Sequence, residues 1–296
     1  MKTIRIGTRT SALALKQTEM VMQAIKERYK DVTFEVVPMK TKGDKLLQAA
    51  LIEFGGKGAF VSEFEEALLD GTIDIAVHSA KDMPMELAEG LGLWMVLKRA
   101  DARDVLVTRK EENPKPEQPM VIGTSSLRRE LQIGQLLPSQ CKLLRGNVPT
   151  RIEKLQEGLY DGIILAAAGL ERLELNQEEN LCYRYLSYDE MIPAGGQGII
   201  AVEGREKDDL RKLFEECSDR KAEMELETER FMLEKLEAGC HEPIGVFSEI
   251  EGEDISIRLL LENNGNAYKG KRNGKVSERF SLAEELIKEV RKYAGK

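Results

Sequence analysis

The chain has 296 residues, 42% of them hydrophobic and 32% charged, enough to close more than one core, which excludes a small disulfide scaffold, a lone binding module and a disordered segment. Its 52 acidic against 44 basic residues leave a net charge of -8, which excludes a general nucleic-acid or anionic-membrane surface and confines any anion site to a local concentration of Arg and Lys. No apolar run approaches the ~18 residues of a membrane span, and four cysteines with no CxxC beside only two histidines exclude a structural zinc site or disulfide framework.

Residues 1–10 lack the apolar region of a signal peptide, so the cytoplasm is the expected location. Ile4 and Ile6 alternate as in a strand, and Leu13, Gln17, Met20, Val21 and Ile25 recur at helical spacing, with Thr10 or Ser11 as N-cap. The pattern repeats as a strand at 33–39, a helix at 61–69 and an alternating strand at Ile73, Ile75 and Val77 that runs into His78, Ser79, Ala80, Lys81 and Asp82. After a polar stretch at 109–119, a second series opens with a strand and turn at 121–124 and a helix at 126–137. Leu143, Leu144 and Arg145 then precede Asn147 and a helix from Arg151, and 162–167 reads as a buried strand. Alternating β and α elements predict doubly wound parallel sheets. Ile6, Gly7, Thr8 and Ser11 are echoed by Ile122, Gly123, Thr124, Ser125 and Ser126, which suggests two lobes built alike. Residues 193–202 read as a chain crossing back into a sheet, 208–237 as helix, and the remainder as a smaller α+β unit of antiparallel strands and a closing helix.

Basic residues recur at the strand-to-helix junctions: Arg9 beside Ser11, Lys81 beside Ser79, Arg128 and Arg129 after Thr124, Arg145 before Gly146, and Arg151 beside Thr150. Backbone N–H groups and the positive end of a helix dipole converge at such places, and guanidinium forks added there make a carboxylate or phosphate site. Any one of these arginines, taken alone, is better read as a solvated surface residue; five junctions with the same chemistry point to a polyanionic organic ligand. The glycines at 55, 56 and 58 lack Walker spacing and suit a hinge or lid, from which Lys57 could reach a ligand. In isolation Asp82 reads as an N-cap or a surface ion pair, and His78 as a satisfied, half-buried histidine. Cys141, Cys182 and Cys217 read as inert thiols. Cys240, in a turn beside His241, is evenly balanced between an inert and an accessible thiol.

The runs 78–84, 123–129, 145–151, 193–198 and 239–245, taken in order, resemble the porphobilinogen deaminase (hydroxymethylbilane synthase) family. The resemblance spans Arg9 to Gly245 and adds little beyond about residue 250. It implies two lobes like those of type II periplasmic binding proteins and a smaller third domain: 1–98 with 197–217, 99–196, and 218–296. It also implies a monomeric transferase that joins four porphobilinogen molecules head to tail into hydroxymethylbilane, releasing ammonia, on a dipyrromethane cofactor held by a thioether at Cys240. Under the resemblance Asp82 is catalytic. Ser79, Lys81, Thr124, Ser126, Arg128, Arg129, Arg145 and Gly146 hold the cofactor, and Arg9, Ser11, Lys57, Arg151 and Arg172 hold substrate. No metal, nucleic acid or membrane partner is implied. Glu53, where some members have Lys, and His241 with Glu242, in place of an uncharged pair, depart from the family pattern. Two rivals remain on the residues alone. One is a binding protein for a small organic anion, and the other is a thiol hydrolase using Cys240 and His241, for which no orienting residue is apparent.

Overall fold

The computed structural model describes residues 3–39, 62–110, 119–237 and 242–295. The first series comprises β1 (Ile4–Arg9), α1 (Ala12–Arg28), β2 (Phe34–Met39), α2 (Ser62–Leu69), β3 (Ile75–Ser79) and β4 (Leu91–Val96). The second comprises β5 (Asp104–Arg109), β6 (Met120–Gly123), α3 (Leu127–Leu136), β7 (Ser139–Lys142), α4 (Val148–Gln156), β8 (Gly162–Ala166), α5 (Ala167–Arg172) and β9 (Leu181–Tyr185). The chain continues as β10 (Ile200–Arg205), α6 (Arg211–Glu215), α7 (Arg220–Lys235), β11 (Gly245–Glu251), β12 (Asp254–Asn263), β13 (Asn266–Lys275) and α8 (Arg279–Ala294). It divides into two compact units, Met1–Ala100 with Gly198–Met224, and Asp101–Gln197 with Glu225–Lys296. Among the described residues no helix is long and apolar enough to cross a membrane.

The first unit holds a five-stranded sheet in the order β2-β1-β3-β10-β4. β1, β2 and β3 run parallel, and β10 runs antiparallel to both β3 and β4. One face is covered by Val21 and Ile25 of α1 with Trp94 and Phe214, and the other by Phe64 and Leu68 of α2 with Ile73 and Leu91. Burial on both faces explains why β3 is apolar from Ile75 to Val77 rather than strictly alternating; Ile73 lies before the strand, its N–H donating to the Ala67 carbonyl at 3.1 Å.

The second unit holds a sheet of the same plan, β7-β6-β8-β5-β9. β6, β7 and β8 are parallel, and β5 is antiparallel to β8 and β9. Purely parallel sheets, expected from the alternation of elements, are therefore replaced by mixed ones. β5 and β10 each follow a segment that has just left the other sheet, so neither is delivered by a crossover helix of its own sheet, and antiparallel pairing is open to both. β7 ends at Lys142, and just beyond it the Leu144 N–H donates to the Thr124 carbonyl at 3.3 Å.

In the same unit β11, β12 and β13 form an antiparallel meander. Asn264 and Gly265, both at positive φ, turn β12 into β13, a two-residue loop of the kind that suits strand twist. α8 packs on β13 with Leu286 and Val290 against Gly270 and Leu282 against Gly274. The helical stretch expected at 208–237 is broken at 216–219, where Asp219 accepts from the Ala222 N–H at 2.8 Å and starts α7 afresh.

Candidate active site

Loops leaving the carboxyl ends of the adjacent parallel strands β1 and β3 carry the first set of expected residues. Arg9 is the last residue of β1 and is half-buried. Ser11 caps α1, its Oγ accepting from the Ala14 N–H at 3.3 Å. Ser79 ends β3, and its Oγ accepts from Nε2 of Gln17 at 2.9 Å. Gln17 is buried on α1, so this helix fixes the hydroxyl at the strand end. A single 3-10 turn, Ala80–Asp82, then buries Ala80 and exposes Lys81 and Asp82. Neither role read for Asp82 in isolation is filled, for it caps no helix and, among the described residues, makes no hydrogen bond or ion pair. His78 is a satisfied core histidine, its Nε2 lying 3.0 Å from Oε2 of the buried Glu203 on β10.

The second set follows the parallel strands β6, β7 and β8. Thr124 is buried just past β6, and its Oγ1 accepts from the Ser126 N–H at 3.1 Å. Ser126 caps α3 through the Arg129 N–H. Beyond β7, Gly146 sits at φ +121, where a Cβ would press on Thr150 at 2.9 Å. The Gly146 carbonyl accepts from Nε of Arg151 at 2.7 Å, and the Arg145 carbonyl from Nζ of Lys154 at 3.0 Å. Asn147 caps α4, its side chain accepting from the Thr150 N–H. Arg172 ends α5, and burial lowers its pKa to about 10 against the partial opposition of Glu171. The first turns of α1 and α4 hold no acidic residue, and that of α3 holds only Glu130. Helix starts usually attract acidic side chains; here the neutral caps Ser11, Ser126 and Asn147 take that place.

Arg128 and Arg129 are not the solvated surface residues that either would be read as when taken alone. Both are buried, and both pair with the fully buried Asp104 at the start of β5. Nη1 of Arg128 donates to Asp104 Oδ2 at 2.8 Å and to the Ile192 carbonyl at 2.7 Å. Arg129 donates from Nε and Nη2 to Asp104 Oδ1 at 3.0 and 2.7 Å, and from Nη1 to the Ile164 carbonyl at 2.8 Å. Burial alone would raise the Asp104 pKa; the two guanidiniums and a hydrogen bond from Gln197 outweigh it and hold the carboxyl well below the usual range. Asp104, Gln132, Gln197 and Gln17 are the residues that sequence reasoning missed. For Asp104 the available signal was a carboxylate opening the apolar run Val105 to Val107.

Lys57, Glu53, Cys240 and His241 lie outside the described residues. Of the other thiols, Cys141 and Cys217 are half-buried, and burial pushes Cys141 up to about 11. Cys182, read with them as an inert thiol, is exposed on β9, whose outward positions face away from the core. Among the described residues no group of three or more His, Cys, Asp or Glu side chains could hold a metal ion.

The family model described as porphobilinogen deaminase, dipyromethane cofactor binding domain, matches residues 4–212, and that of the porphobilinogen deaminase C-terminal domain matches 224–294. A porphobilinogen deaminase of Acetivibrio thermocellus is 42% identical over 292 residues, covering 96% of this chain and 98% of that protein. Another, of Streptococcus sanguinis, is 43% identical over 265 residues, covering 88% and 87%. Among solved structures, the periplasmic VFT2 domain of Bordetella pertussis BvgS aligns at a TM-score of 0.44 and 13% identity, covering 73% of this chain and 86% of that one. Two family domains matched in sequence order, and relatives matched along nearly their whole length, lead to one conclusion: the chain belongs to the porphobilinogen deaminase family.

Proposed function

We propose that the protein is a transferase of tetrapyrrole biosynthesis that condenses four porphobilinogen molecules head to tail into hydroxymethylbilane, with release of four ammonia molecules. The observation that carries this reading is the buried pair Arg128 and Arg129 with one carboxylate between them. Every porphobilinogen ring brings an acetate and a propionate, and only forked, permanently charged donors orient such groups without titrating themselves. The same donor set fits a dipyrromethane, whose side chains are also carboxylates. When bound through Cys240, that group supplies the free pyrrole end that the growing chain extends.

Within this reading Ser79, Lys81, Thr124, Ser126, Arg128, Arg129, Arg145 and Gly146 hold the cofactor's carboxylates. Arg9, Ser11, Lys57, Arg151 and Arg172 hold those of the substrate. The exposed Asp82 is the catalytic carboxylate, supported by its lack of any partner in the described fold. Loss of ammonia from the substrate's aminomethyl group and attack by the next pyrrole put positive charge near a ring nitrogen. A carboxylate beside the pyrrole N–H groups stabilises that charge and accepts the departing α-proton.

We also divide the chain into three domains, 1–98 with 197–217, 99–196 and 218–296. The insertion of β10 between β3 and β4 and the separate meander β11 to β13 support this division. A monomer in the cytoplasm, acting on a small molecule and on neither nucleic acid nor membrane, belongs to the same reading, and the net charge of -8 favours it.

The decisive experiment is intact mass. Active wild-type protein is expected to exceed its sequence mass by one dipyrromethane and to give the colour reaction of pyrroles with a free α-position. Cys240→Ser is expected to show neither. An unmodified mass in active enzyme overturns the cofactor assignment, and failure to consume porphobilinogen turns the reading toward an anion-binding protein.

A further inference from the structure

The amino end of α3 presents an electrostatic imbalance. Arg128 and Arg129 are only 5% and 7% exposed, and they occupy the first turn of a helix, where the dipole disfavours cations. One carboxylate serves both, so three charges in contact leave one positive charge uncompensated where water is nearly excluded. Donors are left over as well. Each guanidinium has five N–H bonds; Arg128 engages two of them and Arg129 three with acceptors of the protein. Among the described residues, nothing engages Nε and Nη2 of Arg128.

Asp104 decides which donors are left. Its Oδ2 takes Nη1 of Arg128, while Oδ1 takes the Nε and Nη2 edge of Arg129 and also Nε2 of Gln197 at 3.0 Å. Gln197 is tied in turn to the Ala102 carbonyl at 2.8 Å. Gln132 brackets Ile192, accepting from its N–H at 2.8 Å and donating to its carbonyl at 3.1 Å, the same carbonyl that Arg128 uses. Each group around the carboxylate is thus held from a second side.

We propose that Asp104 is a positioning residue for ligand carboxylates: it holds Arg128 by Nη1 so that the Nε and Nη2 edge is offered to a pyrrole-borne carboxylate, and it keeps the cluster at the single net positive charge that such a carboxylate neutralises. Asp104 itself touches no ligand. The proposal rests on the function proposed above and deepens it.

The first unit supplies a control. Asp74 is equally buried and accepts from the Arg5 backbone N–H at 2.9 Å, from Arg5 Nε and Nη2 at 3.1 and 2.8 Å, and from Arg205 Nη2 at 3.4 Å. Its two arginine side chains are 33% and 23% exposed, so water completes their solvation and no further anion is called for. Asp74→Asn therefore reports the structural cost of losing a buried carboxylate between two arginines.

Wild type, Asp104→Asn and Asp74→Asn are compared for thermal unfolding, for the fraction carrying a dipyrromethane by intact mass, and for KM and kcat of the loaded fraction with porphobilinogen. Asp104→Asn is expected to lower the loaded fraction, or raise KM, by ~10-fold or more, the scale of one lost charge-assisted hydrogen bond. Asp74→Asn, at a comparable loss of melting temperature, is expected to load and bind as wild type. Asp104→Glu, which keeps the charge, is expected to recover part of the loading. Equal loading and KM in the two Asn variants overturns the proposal. Should Asp104→Asn fail to fold, Asp104→Glu is set against Asp74→Glu: lower loading in the former supports the proposal, and equal loading overturns it. A wild-type chain without added mass overturns the parent reading and this inference with it, whereas a loaded wild type beside equal variants overturns this inference alone.

Discussion

Asp82 and Asp104 are both carboxylates near strand ends, set in opposite surroundings. Asp104 is enclosed by two guanidiniums and an amide, whereas Asp82 stands exposed on a one-turn helix without a partner in the described fold. Removing the Asp82 charge should therefore leave stability unchanged and affect chemistry alone. Asp82→Asn is expected to unfold at the wild-type temperature, to carry its cofactor, and to turn over at least ~10²-fold more slowly, as lost acid-base or electrostatic catalysis does. Asp82→Glu moves the charge without removing it and should retain more activity than Asn. Steady-state rates on fully loaded protein check both, and near-normal turnover in the Asn variant would transfer the catalytic role to another group.

At the scale of elements, the link between α3 and β5 is a pair of adjacent arginines on a helix meeting a carboxylate on a strand. Removing Arg129 leaves Asp104 its pair with Arg128 but strips three buried hydrogen bonds, two of them from the carboxylate, at a cost of about 1–3 kcal/mol. Arg129→Leu is thus expected to lose stability as well as cofactor loading, and denaturant unfolding separates the two effects. The link also carries a pH dependence. Because the folded pKa of Asp104 is depressed below its unfolded value, its contribution is fully present above the unfolded value of about 4 and is lost as pH falls below it. The stability difference between wild type and Asp104→Asn should therefore be constant above about pH 5 and shrink steadily below about pH 4. A difference that grew on acidification would contradict the ion-pair geometry.

For the whole molecule, two sheets share one strand order, each with a single antiparallel member. The echo of Ile6, Gly7 and Thr8 in Ile122, Gly123 and Thr124 has a packing cause. A Cβ at Gly7 would meet Ile73 at 2.5 Å, and one at Gly123 would meet Tyr160 at 2.9 Å and Ile163 at 3.0 Å. Where the chain re-enters the first unit, Gly198 has φ +88 and its Cβ would lie 2.6 Å from the Ala100 carbonyl oxygen. Gly71 has a similar φ of +76 with nothing within 4 Å. Gly71→Ala should cost only the ~1–2 kcal/mol of left-handed backbone strain, and Gly198→Ala clearly more, because a backbone oxygen cannot rotate away. Thermal unfolding of the two variants checks this ordering.

Local chemistry by itself determined the alternation of strands and helices, a cap at Thr10 or Ser11, the two-lobed echo and the clustering of basic residues at strand ends, because each of these depends on neighbours within a few positions. The family motifs carried the function for the same reason, being short runs in a fixed order. Tertiary structure decided what depends on partners far along the chain: that β10 enters the first sheet antiparallel, that Gln17 holds Ser79 across 62 positions, and that Asp104 claims part of Arg128 and Arg129. An arginine's sequence neighbours are the same whether its fork meets water, a ligand or a buried carboxylate; only the folded chain, by excluding water and bringing β5 under α3, selects among them.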